Sequence, residues 1–198
     1  MAMNRAVETS DPRTDAELLA ASGARSEAAF RVLYDRFERR VFRYVSTFIR
    51  QPTLAEEVVI DTMTAVWHGA AGFGGTSRAS TWIFGIARHK ALDAVRKSAS
   101  ANRTAGVSLD AIEEIEDEAA TPAADAERVS GSREMHRALA QLSADHREIL
   151  RLAFYEELPY DDIAALLAIP QNTVKTRVFY AKQQLKRELA RLGAEAST

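Results

Sequence analysis

Apolar residues between positions 30 and 49 return at every third or fourth place. Phe30, Leu33, Tyr34, Phe37, Val41, Phe42, Val45, Phe48 and Ile49 fall on one broad face, the pattern of a helix whose apolar side packs into a core. A second helix is predicted over Leu54 to Trp67, stopping where Gly69, Gly72, Gly74 and Gly75 collect into a loop. A third runs from Ser80 or Thr81 through Lys97, with Trp82, Ile86, Ala87 and Leu92 available to pack inward. After a stretch with little apolar periodicity, Met135, Leu139 and Leu142 begin another helix. Ser143 is then placed to cap the next one, which holds Ile149, Leu150, Leu152 and Ala153. Tyr160 to Arg177 reads as two short helices around a tight turn, the second opening with Pro170, and in it Val174, Val178, Ala181 and Leu185 form one stripe that docks on the preceding helices. No alternating strand pattern of useful length and no internal repeat is present. The fold predicted is all-α.

The other face of that last helix carries the chemistry. Asn172, Lys175, Thr176, Phe179, Tyr180 and Gln183 offer amide, cation, hydroxyl and aromatic groups, which is what a helix needs to reach base edges and thymine methyls in a major groove. Arg177, Lys182, Lys186 and Arg187 are better placed for phosphates. A merely solvated polar face is the plainer alternative. A second segment also joins aromatics to cations: the Gly-rich loop Gly72 to Ser80 lies beside Trp82, Arg88, His89, Lys90, Arg96 and Lys97. Extruding a base costs a few kcal/mol per step, and stacking on an aromatic with cationic capture of the strand backbone can offset it. A tryptophan at position 82 is more often a core residue than a stacking platform, and His89 reads as a polar contact rather than a catalyst.

Charge changes the picture only when it is counted by segment. The whole chain of 198 residues is at −2, yet Ser26 to Ser98 has 11 cations against 7 anions, and Gln171 to Arg191 has 6 against 1. Between them Ala99 to Ser132 has 2 against 8, with Asp110, Glu113, Glu114, Glu116, Asp117 and Glu118 among Ala, Thr, Ser and Pro122. Such a stretch cannot bury enough surface to fold alone and is a linker or a solvated acidic spacer. The expected organisation is an amino-terminal extension at 1–25, a small helical domain at 26–98, a flexible acidic linker at 99–132, a helix-turn-helix domain at 133–192 and a tail at 193–198. There is no cysteine, which excludes disulfides and thiolate metal sites and fits a reducing cytoplasm. No stretch has the length of a signal peptide core or a membrane span, so no membrane insertion is expected.

Enzyme classes find no support. His68, His89, His136 and His146 show no metal-ligand spacing, and neither a Walker nor a dinucleotide glycine signature is present, so no metal or cofactor is expected. Asp161 and Asp162 point to different helix faces and cannot pair as acid and base; Asp162 is read as support for a helix start.

With these residues in view, Tyr160, Ile163-Ala164, Leu167, Ile169-Pro170, Thr173-Val174-Lys175, Arg177 and Ala181 resemble region 4 of the extracytoplasmic-function (group IV) sigma factors of bacterial RNA polymerase. Ala168 stands where that family usually has the turn glycine, Asn172 replaces the usual Gly, and Tyr180 replaces a common Arg. Ala55 to Trp67, Phe73-Gly74-Gly75 and Thr81 to Arg88 are similar to region 2 of the same family. The resemblance implies a factor that directs core polymerase to promoters. Asn172, Thr173, Lys175, Thr176, Arg177, Phe179, Tyr180 and Lys182 would meet the minus-35 element, and Gly74, Thr76, Ser77, Arg78, Trp82, Arg88, His89, Lys90, Arg96 and Lys97 the minus-10 element. Glu57, Ile60 and Asp61 would meet the clamp coiled coil of the largest subunit, Ile60 standing in place of the usual Gln. It also implies contact with the polymerase flap region and an anti-sigma factor as a further partner. Two other classes remain open at this point: a sigma-like adaptor that only sequesters an anti-sigma factor, and an ordinary dimeric helix-turn-helix regulator, which leaves the amino-terminal half unexplained.

Overall fold

The computed structural model describes residues 11–105 and 134–195, all of whose regular structure is helical. The acidic cluster Asp110 to Glu118 lies outside the described residues. Helix α1, Asp15–Gly23, falls within the stretch expected to be an extension, yet Leu18 and Leu19 are fully buried. A capping box starts it: the Thr14 hydroxyl accepts from the Glu17 N–H, and the Thr14 N–H donates to the Glu17 carboxylate at 2.7 Å. Its last residue packs tightly. A Cβ on Gly23 would sit 2.9 Å from the Ala71 nitrogen, so only glycine lets α1 approach the 3-10 turn Ala70–Gly72.

Helix α2, Glu27–Val45, is capped by Ser26 and buries Ala29, Leu33, Phe37, Val41, Tyr44 and Val45; of the predicted stripe Phe30, Tyr34 and Phe42 are half-buried, and Phe48 and Ile49 lie past its end. Helix α3, Pro52–Gly69, starts with proline at its first turn, where the missing N–H costs nothing. Helix α4 spans Ala79–Ala105, beyond the last residue that the pattern assigned to it. Its inward residues also differ from the reading above. Ile83, Phe84, Ala87 and Ala91 are buried, whereas Trp82, Ile86 and Leu92 are half-buried. Phe84 is the inward aromatic, with ring centroids 5.2 Å from Tyr44 and 6.2 Å from Phe37. Trp82, two residues earlier and half-buried, lies off this inward face and meets Phe73.

In the carboxyl-terminal half, residues 134–140 form α5. Helix α6, Ala144–Leu150, begins with Ser143 accepting from the His146 N–H as expected, and passes into one π-type turn, Arg151–Tyr155. Helix α7, Tyr160–Leu167, ends at Ala168, whose φ of 54° and ψ of 45° are left-handed. A residue with a Cβ pays about 1–2 kcal/mol there. The Ile169 N–H closes the turn on the Ala164 carbonyl at 3.0 Å. Helix α8, Gln171–Glu195, then docks through buried Val174, Val178 and Ala181 with Leu185 packed beside them. Buried residues of both halves form one continuous apolar cluster.

Candidate nucleic-acid interface

Helix α8 holds its polar face clear of the rest of the molecule because its apolar stripe faces α6 and α7. Asn172, Lys175, Thr176, Phe179, Tyr180 and Lys182 are exposed, Phe179 at 56% and Tyr180 at 58%. Large aromatics are rarely left that open, and the two rings meet edge to face at 5.5 Å. The Thr176 hydroxyl donates to the Asn172 carbonyl at 2.9 Å, leaving its lone pairs and methyl facing outward. Thr173 is half-buried, and Arg177 is tied to Asp145 at 3.2 Å, which suits it to hold position rather than probe a groove. Two aromatics were missed from the sequence. Phe154 and Tyr155 are 49% and 55% exposed on the π-type turn, with the Lys182 ammonium 5.2 Å above Phe154 and the Arg151 guanidinium 4.6 Å above Tyr155. An aromatic pair closing an otherwise buried run was the available signal.

The residues assigned to the second reader divide between two sides of α4. Trp82, Gly85, Ile86, His89 and Lys90 line one shallow groove, in which an aromatic face stands beside two polar heads. Gly74, Thr76 and Arg78 are exposed on the preceding loop, where Gly75 has φ of 68°, and Ser77 is half-buried. His89 and Arg96 both pair with Asp93, at 3.2 and 3.1 Å, and Lys97 is exposed.

Arg88 is directed elsewhere. Its Nε donates to the buried Glu148 carboxylate at 2.8 Å, and the Tyr44 hydroxyl donates to the same oxygen at 2.7 Å. Burial, reinforced by the Glu148 charge, pushes the Tyr44 phenol well above its ordinary pKa, so it remains a donor. Asp162 likewise does more than start a helix: it accepts from the Thr81 hydroxyl at 2.7 Å and lies 3.8 Å from Arg78. Glu156, almost fully buried, accepts from Arg40 at 2.9 Å. Burial raises its pKa, with Arg40 working against the shift. Sequence patterns gave no sign of these three junctions, because each joins residues far apart in the chain.

On the opposite side of the amino-terminal half, Glu57, Ile60 and Asp61 are exposed on one face of α3, Ile60 at 57%. Ile60 borders a groove floored by Phe30, Tyr34, Met63 and Trp67, with Phe30 and Trp67 ring centroids 5.0 Å apart. A hydrophobic slot rimmed by carboxylates suits a partner helix that carries cations. Among the described residues no group of acidic and histidine side chains is arranged to hold a metal ion, and no helix is long and apolar enough to cross a membrane.

Both halves of the chain are matched in known proteins. The family described as Sigma-70 region 2 matches residues 33–101, and that described as Sigma-70, region 4 matches residues 132–185. The ECF RNA polymerase sigma factor SigL of Mycobacterium tuberculosis is 31% identical over 177 residues, 87% of this chain and 95% of that one. The chain belongs to the ECF sigma factor family. Another sigma factor, RpoE of Cereibacter sphaeroides, is 30% identical over 174 residues, covering 84% of this chain and 89% of its own. Among solved structures, the sigma factor fold seen here is shared with RpoE of Bartonella quintana in complex with the anti-sigma factor NepR. That match has a TM-score of 0.67 and 23% identity over 81% of this chain and 96% of that one. CnrH in complex with the cytosolic domain of CnrY gives 0.63 and 22%, over 89% and 97%.

Proposed function

We propose that this sigma factor binds core RNA polymerase and directs it to promoters, with α8 reading the minus-35 duplex and α4 with its preceding loop holding the opened minus-10 strand. Such a factor is not an enzyme, and it works in the cytoplasm with the polymerase. The observation that carries this reading is the presence of two separate aromatic and cationic faces on one chain, α8 displaying Lys175, Thr176, Phe179 and Tyr180, and α4 displaying Trp82, His89 and Lys90. A duplex reader alone accounts for only the first. Within α8, Thr176, Phe179 and Tyr180 are assigned to bases and Lys182 to phosphate, while Thr173 and Arg177 orient the helix. Glu57, Ile60 and Asp61 are assigned to the clamp, because exposed Ile60 borders an apolar groove lined by Phe30, Tyr34, Met63 and Trp67. Residues 26–98 with α1 form the first unit and 133–192 the second. An anti-sigma partner is proposed as well, since RpoE of Bartonella quintana, which shares this fold, was solved with one.

The test is transcription with purified core polymerase and a genomic promoter library. Promoter-specific transcripts that depend on the chain are expected. Tight duplex binding by the chain alone, with no specific transcript on any template, would replace this reading with the dimeric regulator.

A further inference from the structure

We propose that base discrimination by α8 depends on the helix being held against rolling about its own axis. His146 and Phe154 are the positioning residues that hold it, one on each flank of its apolar stripe. The inference rests on α8 reading the minus-35 duplex, as proposed above, and names the side chains that aim it.

Hydrophobic burial is non-directional, so an apolar stripe seats a helix without fixing its rotation. The α8 stripe is mostly short side chains, Val174, Val178 and Ala181, with Leu185 packed beside them. Directional contacts on its flanks supply what the stripe lacks. At about 100° per residue, Arg177 and Gln184 fall roughly 70–90° to one side of the stripe and Lys182 about 70° to the other. All three meet partners outside α8. On the first flank His146 Nδ1 lies 2.9 Å from Gln184 Oε1, and because an amide oxygen only accepts, the ring nitrogen donates. Asp145, one residue earlier, holds Arg177 at 3.2 Å. His146 is a fixed mount, since its own backbone N–H donates to the Ser143 cap at 3.3 Å. On the second flank the Lys182 ammonium stands 5.2 Å from the Phe154 ring centroid. Phe154 belongs to the π-type turn, a kind of irregularity that recurs at functional sites, and a ring 49% exposed adds little to the core.

As stabilisers these contacts are weak, because water competes for every one of them. Their effect is geometric. A binding constellation must be kept within about 10–20° of its productive setting, and a roll of about 10° carries a side chain ~6 Å from the helix axis through about 1 Å. Thr176, Phe179 and Tyr180 are exposed on the side away from the stripe, so a roll moves all three together relative to the base edges. Phosphate contacts tolerate the same displacement, since charge attraction falls off slowly with distance. Loss of a brace therefore lowers discrimination and leaves general affinity in place.

The test is holoenzyme binding to two duplexes, one carrying a minus-35 element recovered from the genomic promoter library and the other the same bases scrambled. His146→Ala and Phe154→Leu should each cut the ratio of the two affinities about fivefold, the equivalent of one net hydrogen bond, with the scrambled duplex bound as before. His146→Asn, whose amide nitrogen stands in for Nδ1, and Phe154→Trp, which keeps a ring face for Lys182, should restore the ratio. His146→Ala with Gln184→Ala should reduce it no further than either alone, because both remove the same contact. His146 is half-buried and Phe154 exposed, so melting curves should show every variant folded. An unchanged ratio in His146→Ala or Phe154→Leu, equal losses on both duplexes, or a fall that His146→Asn and Phe154→Trp do not restore would overturn the inference. Wild-type holoenzyme decides the reading beneath it: no preference between the duplexes removes base reading by α8, whereas a wild-type preference that survives every variant removes only the braces.

Discussion

The two readers are made of similar side chains and stand in opposite states. On α8 the groups proposed to meet bases are exposed, supported from behind by Val174, Val178 and Ala181. On α4 the groove of Trp82, His89 and Lys90 is open, while Arg88 on the adjoining side is held by Glu148. The difference teaches that exposure depends on what the rest of the chain offers to each helix. On α8, Arg177 meets Asp145 and Arg191 meets Glu188, both partly exposed pairs, whereas α4 and the residue before it meet Glu148 and Asp162, brought by α6 and α7.

The sharpest way to break this comparison is to remove the shelf under one reader alone. Phe84 is fully buried between Phe37 and Tyr44, so Phe84→Ala is expected to cost about 3–5 kcal/mol. Chemical denaturation of the full chain measures it. Loss below about 1 kcal/mol would mean the core closes over the gap and α4 is not built on this ring.

A smaller effect tests whether the open reader reads at all. Thr176→Ala or Phe179→Ala should weaken holoenzyme binding to a cognate minus-35 duplex by about 1–3 kcal/mol and relax discrimination, because base contacts are lost. Lys186→Ala should weaken all sequences alike and reduce the salt slope by about one. Equal losses on cognate and scrambled duplexes for all three would leave α8 as a basic anchor.

The turn that aims α8 gives a third, smaller effect. Ala168→Gly relieves the left-handed strain, at the cost of more freedom in the unfolded chain, and should stabilise by up to about 1 kcal/mol. Thermal melting checks it, and a lower melting temperature would count against strain at this position.

The least effect is expected at Glu156→Gln. Burial raises the Glu156 pKa above its ordinary 4.5, so its folded form prefers the proton. Its contribution to stability is full below that ordinary value and is lost as pH rises through the folded one. A neutral isostere should therefore change stability little at neutral pH and flatten the slope just above the ordinary glutamate range. Urea titrations of both proteins from mildly acidic to neutral pH follow this, and a large loss at neutral pH would show that the Arg40 pair outweighs the burial.

Helices α2, α3, α6, α7 and α8 were legible because each carries an apolar period, and the α8 stripe docks as predicted, with Val174, Val178 and Ala181 buried and Leu185 half-buried. Ser143 as a cap was legible from local chemistry, whereas Ala168 as the turn residue was placed by the family resemblance. Helix α1 was not: its apolar content is one pair, Leu18 and Leu19, too short to register as a period, and its burial comes from α2 and the 3-10 turn. The α4 register slipped because Trp82, the most conspicuous apolar residue, lies at the edge while Phe84 fills the centre. The candidate residues on α8 could be placed from sequence. The fate of Arg88, Thr81 and Arg78 could not, since their partners lie 60 to 84 positions away. Charge counted along a chain does not say which opposite charge will arrive beside it.

The close seat of Gly23 on Ala70 and Ala71 sets a reach. With the 3-10 turn pinned there and α4 starting at Ala79, only Phe73 to Arg78 are left to span the gap. A segment of that length extends at most about 20 Å even when taut, and it is tied at both ends. It can bow outward but cannot travel, so whatever it encloses must come to it and be small enough to fit beneath one short arch.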